Sequence, residues 1–300
     1  MNENHRDTFT SYSPVINFTF FIAAVVFGML LLHPAFLVCS VVFSSSYYLI
    51  LKGSRGLKLI MGMLPVFAAV SLLNPLLNTN GTHILFTWPG GRPYTWEALC
   101  YGMALAAMFV AVILWFACYS IVMTSDKFIH MFGRMIPSLS LVLTMILRLV
   151  PSYRRKLVQI STARKCTGSA GAAADKKTRL ENGMSELSAL TTWAFEGGIV
   201  TADSMRSRGY GTGRRSCFSV YRFDARDRIM LGGMILLIII TAGACLAGAA
   251  AATYTPVFYI RDPGDPLSAA AIISYIIFLS IPTGVNITEA IKWRILRSRI

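Results

Sequence analysis

Residues Glu97–Met123 read EALCYGMALAAMFVAVILWFACYSIVM, and the one charge in this run stands at its first position. As a helix rising 1.5 Å per residue the run is about 40 Å long, against roughly 30 Å of bilayer hydrocarbon. It reads as a membrane span. Five more apolar runs flank it, at about 15–32, 34–51, 59–77, 229–252 and 268–287. The first of these ends at His33-Pro34 and the next begins almost without a loop, so the two form a tight helical hairpin. Composition agrees, since a chain of 55% hydrophobic and 14% charged residues with a mean hydropathy of +0.58 lies outside the soluble range. Met1–Ser13 is polar, and no small-residue cleavage site follows the first apolar run, so that run is expected to be retained as a span.

The segments between the spans differ in kind. Asn78–Trp96 is rich in Gly, Pro, Asn and aromatics and reads as an ordered loop with interfacial Trp88, Tyr94 and Trp96. Ile136–Val150 is apolar but short for a crossing, with Pro137 and Pro151 near its ends, and is expected to be a buried or interfacial helix. Ser152–Arg228 is polar. With both termini inside, every Lys and Arg of the 28 except Arg92 and Arg261 falls on the inner side. That asymmetry is what the positive-inside rule requires, so the formal charge of +14 sets topology and meets anionic lipid without any need for nucleic acid.

Within the polar segment, Ser152–Cys166 carries Leu157 and Ile160 at helical spacing and is strongly basic. Gly168–Ala174 reads as a joint. Ser185 reads as an N-cap with Glu186 in the first turn, opening a helix to Arg208 with Leu187, Leu190, Ala194, Val200 and Met205 on an irregular apolar face. Gly197-Gly198 inside that helix costs roughly 1 kcal/mol per glycine relative to alanine, and a close helix approach is the simplest compensation. Arg208-Gly209 then has two readings. It is a helix end in which a cation complements the dipole and glycine takes the left-handed cap, or it is a docking arginine. A second basic helix end, Ala163-Arg164-Lys165, lies upstream in the same segment and favours docking, because guanidinium binds carboxylates bidentately in acidic pockets.

These residues carry a family resemblance over about 70–230. Asn74-Pro75-Leu76, Gly81-Thr82, Leu85-Phe86, Pro89-Gly90-Gly91, then Met145-Ile146-Leu147-Arg148-Leu149-Val150-Pro151, then Ala163-Arg164, and above all Ala202-Asp203-Ser204-Met205-Arg206-Ser207-Arg208-Gly209-Tyr210, are similar to the T component of energy-coupling factor (ECF) transporters, a cobalt-transport-protein-like family. The resemblance implies a non-catalytic scaffold that joins two cytoplasmic ATPase subunits to a small membrane substrate-binding subunit for micronutrient uptake, of a vitamin or a metal ion. It implies further that Ala163, Arg164, Lys165 and Ser207, Arg208, Gly209 end the coupling helices that enter the ATPases. Lys165 departs from the pattern, standing where glycine is usual.

The expectation is an all-α membrane protein with about six transmembrane helices and a cytoplasmic helical coupling domain, and the resemblance implies a bacterial or archaeal plasma membrane. Four spans fall in 1–136, the coupling helices in 137–228, and a hairpin with a basic tail in 229–300. The chain is not expected to be an enzyme. Gly171–Thr178 (GAAADKKT) has no second glycine before its lysines, so the usual phosphate-binding loop is missing. No cofactor or metal site is expected either. His5, His33, His83 and His130 lie far apart and read as interfacial or exposed. The six cysteines are scattered singly and read as buried free thiols. The alternative is a self-contained polytopic carrier or enzyme with its site in the cytoplasmic segment. It would need a nucleotide motif or convergent polar residues at membrane depth, and the sequence offers neither.

Overall fold

The computed structural model describes residues 7–78, 81, 83–87, 93–133, 136–168, 176–213, 223–254 and 259–297. In order, the elements are α1 (Pro14–Leu30), α2 (Pro34–Lys52), α3 (Gly56–Leu77), β1 (Ile84–Thr87), β2 (Pro93–Thr95), α4 (Trp96–Val122), α5 (Ser125–Gly133), α6 (Pro137–Cys166), α7 (Lys176–Ser207), α8 (Ala225–Leu246), β3 (Ala252–Thr253), β4 (Tyr259–Ile260) and α9 (Pro266–Arg297). The fold is all-α apart from two short antiparallel strand pairs in loops, β1 with β2 and β3 with β4. Two compact units emerge, one of Met1–Phe128 with Tyr221–Ile300, the other of Ile129–Val220. The second unit therefore begins and ends eight residues earlier than the expected 137–228. One reason is local: Arg226, in the first turn of α8, is tied to Tyr12 of the first unit.

In the first unit each apolar run of the sequence becomes a helix. Among the described residues four helical stretches are long and apolar enough to cross a membrane: Pro34–Leu77, Trp96–Val122, Ala225–Leu246 and Pro266–Arg297. α1, at 17 residues, is apolar but shorter. The stretch Pro34–Leu77 holds both α2 and α3. Its 44 residues would reach about 66 Å if straight, twice a hydrocarbon core. It bends instead at Gly53, whose φ of +59° is open to glycine, and Gly56 comes back beside the Tyr48 ring.

Side-chain contacts fix the helix directions. At one end, Thr8 N donates to Asn286 Oδ1 (2.8 Å) and Tyr47 Oη donates to Asp7 (2.7 Å). At the other, Tyr254 Oη donates to Leu32 O (2.7 Å) and Ser268 Oγ to Ala249 O (3.1 Å). α1, α2, α3, α4, α8 and α9 thus alternate in direction along the chain. The interior is aromatic, with Phe9, Phe20, Phe21, Tyr47, Trp115 and Phe278 wholly buried and mostly meeting edge to face. Aliphatic side chains such as Val38, Val42, Leu72, Ile239 and Ile277 lie outside. Lipid is as apolar as those side chains, so packing and internal hydrogen bonds hold such helices together. Trp115 Nε1 donates to Ser40 (3.0 Å), and Thr241 shares a hydrogen bond with Ser274 (2.9 Å). At the α3–α4 crossing the backbones themselves come close: a Cβ on Gly102 would stand 2.7 Å from Ser71 O.

His33 departs from the expected exposure. It is buried and caps α2, accepting from Ala35 N at Nδ1 (3.3 Å), while Nε2 faces Arg261 O (3.1 Å). Nδ1 acts as acceptor, which leaves the ring proton on Nε2.

The second unit is built on α6 and α7, and both are longer than expected. α6 runs unbroken through Pro151, joining the apolar 137–150 to the basic Ser152–Cys166. α7 begins at Lys176, so Ser185 is interior and is not a cap. Nothing in Lys176–Glu181 opposes helix, which is why the start moved upstream. Tyr153 stacks edge to face on Trp193, with Lys156 Nζ 5.3 Å from the indole centre, and Arg164 reaches Asn182. The two helices are therefore antiparallel. Leu157, Ile160, Leu190, Ala194 and Met205 are half-buried as expected, whereas Leu187 and Val200 face outward.

Candidate functional site

α7 ends in a Schellman motif. Tyr210 N donates to Met205 O (3.0 Å), Gly209 N donates to Arg206 O (3.0 Å), and Gly209 has φ +78°. These bonds satisfy carbonyls that a helix end leaves open, and the left-handed residue between them favours glycine. Arg208 occupies the capping position immediately before that glycine. Its side chain is exposed and meets no hydrogen-bond or ion-pair partner among the described residues. Ser207 is held back onto its own helix, donating to Asp203 O (2.9 Å).

The other motif is built differently. α6 runs on past Ala163, Arg164 and Lys165 to Cys166, and the left-handed residue is Gly168 (φ +75°), with Thr167 N donating to Ala163 O (3.1 Å). Lys165 therefore needs no left-handed conformation. Arg164 lies inside the last turn and turns toward α7, Nη1 donating to Asn182 O (2.8 Å) and Nη2 to Asn182 Oδ1 (3.2 Å). Ala163 and Lys165 are exposed. The joint expected after Gly168 falls at 169–174, outside the described residues.

Among the described residues Gly197-Gly198 has no close helix, because a Cβ on either would meet nothing within 4 Å. Around them Phe195, Ile199 and Val200 are 71%, 65% and 64% exposed. The second unit is also strongly basic, with fourteen Lys and Arg against five Asp and Glu. What α6 and α7 present is a basic, partly apolar surface.

Sequence reasoning missed a third feature, in the first unit. Lys127 was counted as an inner-loop charge, yet it is only 3% exposed. Its Nζ donates to Thr10 O (2.6 Å) and Val122 O (3.0 Å). In the amide orientation that satisfies both of its neighbours, Asn17 donates to Phe9 O (3.0 Å) and accepts from Lys127 Nζ (3.0 Å). All three ammonium protons are thereby used. Beside this knot, Asp7 accepts from Thr10 Oγ1 (2.6 Å), Tyr47 Oη and Asn286 Nδ2. Nothing local in Ser125-Asp126-Lys127 signals it, since every acceptor is distant in sequence or on the backbone.

Five free cysteines lie among the described residues: Cys118 buried, Cys39, Cys100 and Cys245 half-buried, Cys166 exposed. No group of three or more His, Cys, Asp or Glu among the described residues could hold a metal ion. Compared with known proteins, the chain matches no family model and no curated protein.

Proposed function

We propose that this chain is the non-catalytic transmembrane coupling subunit of an ECF-type ABC importer in a bacterial or archaeal plasma membrane. All six apolar helices cross, α2 and α3 as separate spans. Both termini and the α6–α7 hairpin lie in the cytoplasm, where 26 of the 28 Lys and Arg then fall. Two cytoplasmic ATPase subunits receive the two helix ends, Ala163-Arg164-Lys165 and Ser207-Arg208-Gly209. A small membrane subunit selects the vitamin or metal ion, and the ATPase movement passes through the hairpin to it. The chain itself binds no nucleotide and no cofactor.

The observation that carries this reading is the end of α7. A capped helix presents Arg208 at its tip with no partner among the described residues, on a unit with a large excess of positive charge. Such an arginine fits a carboxylate pocket on another protein, whereas a cap needs only the glycine.

The test is to purify the tagged chain from its own membranes, identify what comes with it, and repeat with Arg208→Ala, Arg208→Lys and Arg208→Glu at matched expression. Two copies' worth of ATPase should accompany the wild type. Truncation of a desolvated ion pair costs roughly 2–5 kcal/mol, so alanine should lose most of the ATPase, lysine should retain part of it, and glutamate should be worst. A helix-cap role alone predicts lysine as good as arginine and a loss of only about 0.3–1 kcal/mol. An alanine chain that assembles and transports like wild type sinks the docking role. Nucleotide binding by the isolated chain sinks the coupling-subunit reading.

A further inference from the structure

The chain passes between its two units twice, leaving the first after Phe128 and re-entering it at Tyr221. Each passage is fastened within a few residues. Lys127, one residue before the exit, is buried and donates to Thr10 O, Val122 O and the Asn17 side chain. Arg226, in the first turn after re-entry, donates from Nε to Tyr12 Oη (2.8 Å) and sets its guanidinium carbon 4.4 Å from the centre of the same ring. Thr10, Tyr12 and Asn17 belong to a single short stretch. Two distant parts of the sequence thus grip the same segment.

That segment is itself wedged into the bundle. Phe9 is wholly buried and meets Phe20, Phe21 and Tyr47 edge to face. Asp7 binds Tyr47 of α2, and Thr8 N and Asp7 both bind Asn286 of α9. α1 follows directly from Ser13. One short stretch therefore ties both passages to α1, α2 and α9 together. Loosening it leaves a buried ammonium or buried carbonyls unpaired, which is why the knot holds.

We propose that Asp7–Asn17 is the fixed anchor of this protein, pinned by Lys127 at one passage and Arg226 at the other, through which movement of the second unit reaches the membrane helices. The ties are geometric and stand by themselves. Their role in transmission rests on the coupling reading above. Lys127 and Arg226 are then positioning residues that touch neither ATPase nor substrate.

Hydrogen exchange of the full chain in lipid nanodiscs tests the anchor without any partner. Lys127→Met keeps the aliphatic stem and removes the head, and Arg226→Leu does the same at the second passage. Either variant should speed exchange of the Phe9–Asn17 amides at least fivefold. Because the anchor is shared, Lys127→Met should also loosen Ala225–Ile229. Tyr12→Phe, which keeps the ring and drops the hydroxyl, should fall between wild type and Arg226→Leu. Unchanged exchange in Phe9–Asn17 for both variants overturns the anchor.

A second arm uses the chain purified with its ATPases. Lys127→Met should recover wild-type amounts of ATPase and hydrolyse ATP within twofold of wild type, while uptake per ATP falls at least fivefold. Assembly, hydrolysis and uptake falling together, or uptake per ATP staying constant, overturns the transmission role. If the wild type brings no ATPase, the coupling reading fails by itself, and the exchange arm still decides the anchor.

Discussion

The Arg164 guanidinium grips Asn182 twice, at its carbonyl oxygen (2.8 Å) and its side-chain oxygen (3.2 Å), and so closes α6 onto α7. Arg208, the corresponding arginine at the far end of α7, has no partner among the described residues. The two motifs are therefore in different states: to reach another protein Arg164 must first release Asn182, and Arg208 need release nothing. Charge-assisted bonds at a half-exposed site contribute about 1 kcal/mol, so Arg164→Ala should destabilise the hairpin by that order and Arg208→Ala should not. The check is exchange protection of Ala163–Cys166 and Arg179–Met184 in the two variants. Equal protection would show that the Asn182 contact does not hold the hairpin.

Gly102 lies where α3 and α4 cross at close range. An added Cβ would stand 2.7 Å from the Ser71 carbonyl oxygen and 3.0 Å from Asn74 Cβ, and the first of these is backbone that cannot swing away. Gly102→Ala should cost roughly 1–3 kcal/mol by forcing the helices apart. Gly62→Ala, on the same α3 but with nothing within 4 Å, serves as the control and should be neutral or slightly stabilising. Thermal unfolding in detergent reads the difference, and equal midpoints for the two variants would contradict the crossing.

Much of this was legible because lipid imposes simple rules. Long apolar runs must be helices, and Gly209 after a basic helix end must be a cap. Both were read correctly from residue order. The failures at His33 and Lys127 share a cause, since both depend on partners distant in sequence. Ser185 resembled a cap because Ser followed by Glu is a local start signal, and the same pair is also compatible with the interior of a helix that begins at Lys176. His33 resembled an interfacial histidine until the Arg261 carbonyl arrived from 228 residues away. Lys127 looked like one more inside charge, because its acceptors come from Thr10 and Asn17 across the bundle. Gly197-Gly198 implied a close neighbour, and none lies within 4 Å among the described residues.

Topology is tested from outside the cell. In a chain whose other cysteines are replaced, a cysteine put in place of exposed Gly264, between β4 and α9, should react with an impermeant maleimide on intact cells. The native Cys166, exposed at the end of α6, should react only after the membrane is opened. The physical basis is the distribution of Lys and Arg, with Arg261 alone near Gly264 and a dense basic cluster around Cys166. Labelling of Cys166 and not of the Gly264→Cys site on intact cells would reverse the orientation and exclude cytoplasmic ATPases as partners of α6 and α7.

Lys127 gives the protein a stability that depends on pH in an unusual direction. Burial pushes its ammonium down to about 8 from an ordinary value of 10.5, and the nearby Asp7 carboxylate opposes the shift without cancelling it. Below pH 8 both folded and unfolded chains carry this proton, and the folded chain bears the full cost of burying the charge. Between about 8 and 10.5 the unfolded chain still holds the proton and the folded one has released it. By linkage, stability must then rise with pH across that window. The expected gain is about 1–2 kcal/mol, the full shift being discounted because the site lies near the water-facing end of the bundle. Other groups titrate in the same range, so the measurement is the difference between wild type and Lys127→Met, by denaturant unfolding in detergent at pH 7, 8, 9 and 10. The two curves should run parallel up to pH 8, after which wild type should gain on the methionine variant. Parallel curves through pH 10 would mean that Lys127 keeps its proton in the folded protein and that the three acceptors around it outweigh the cost of burial.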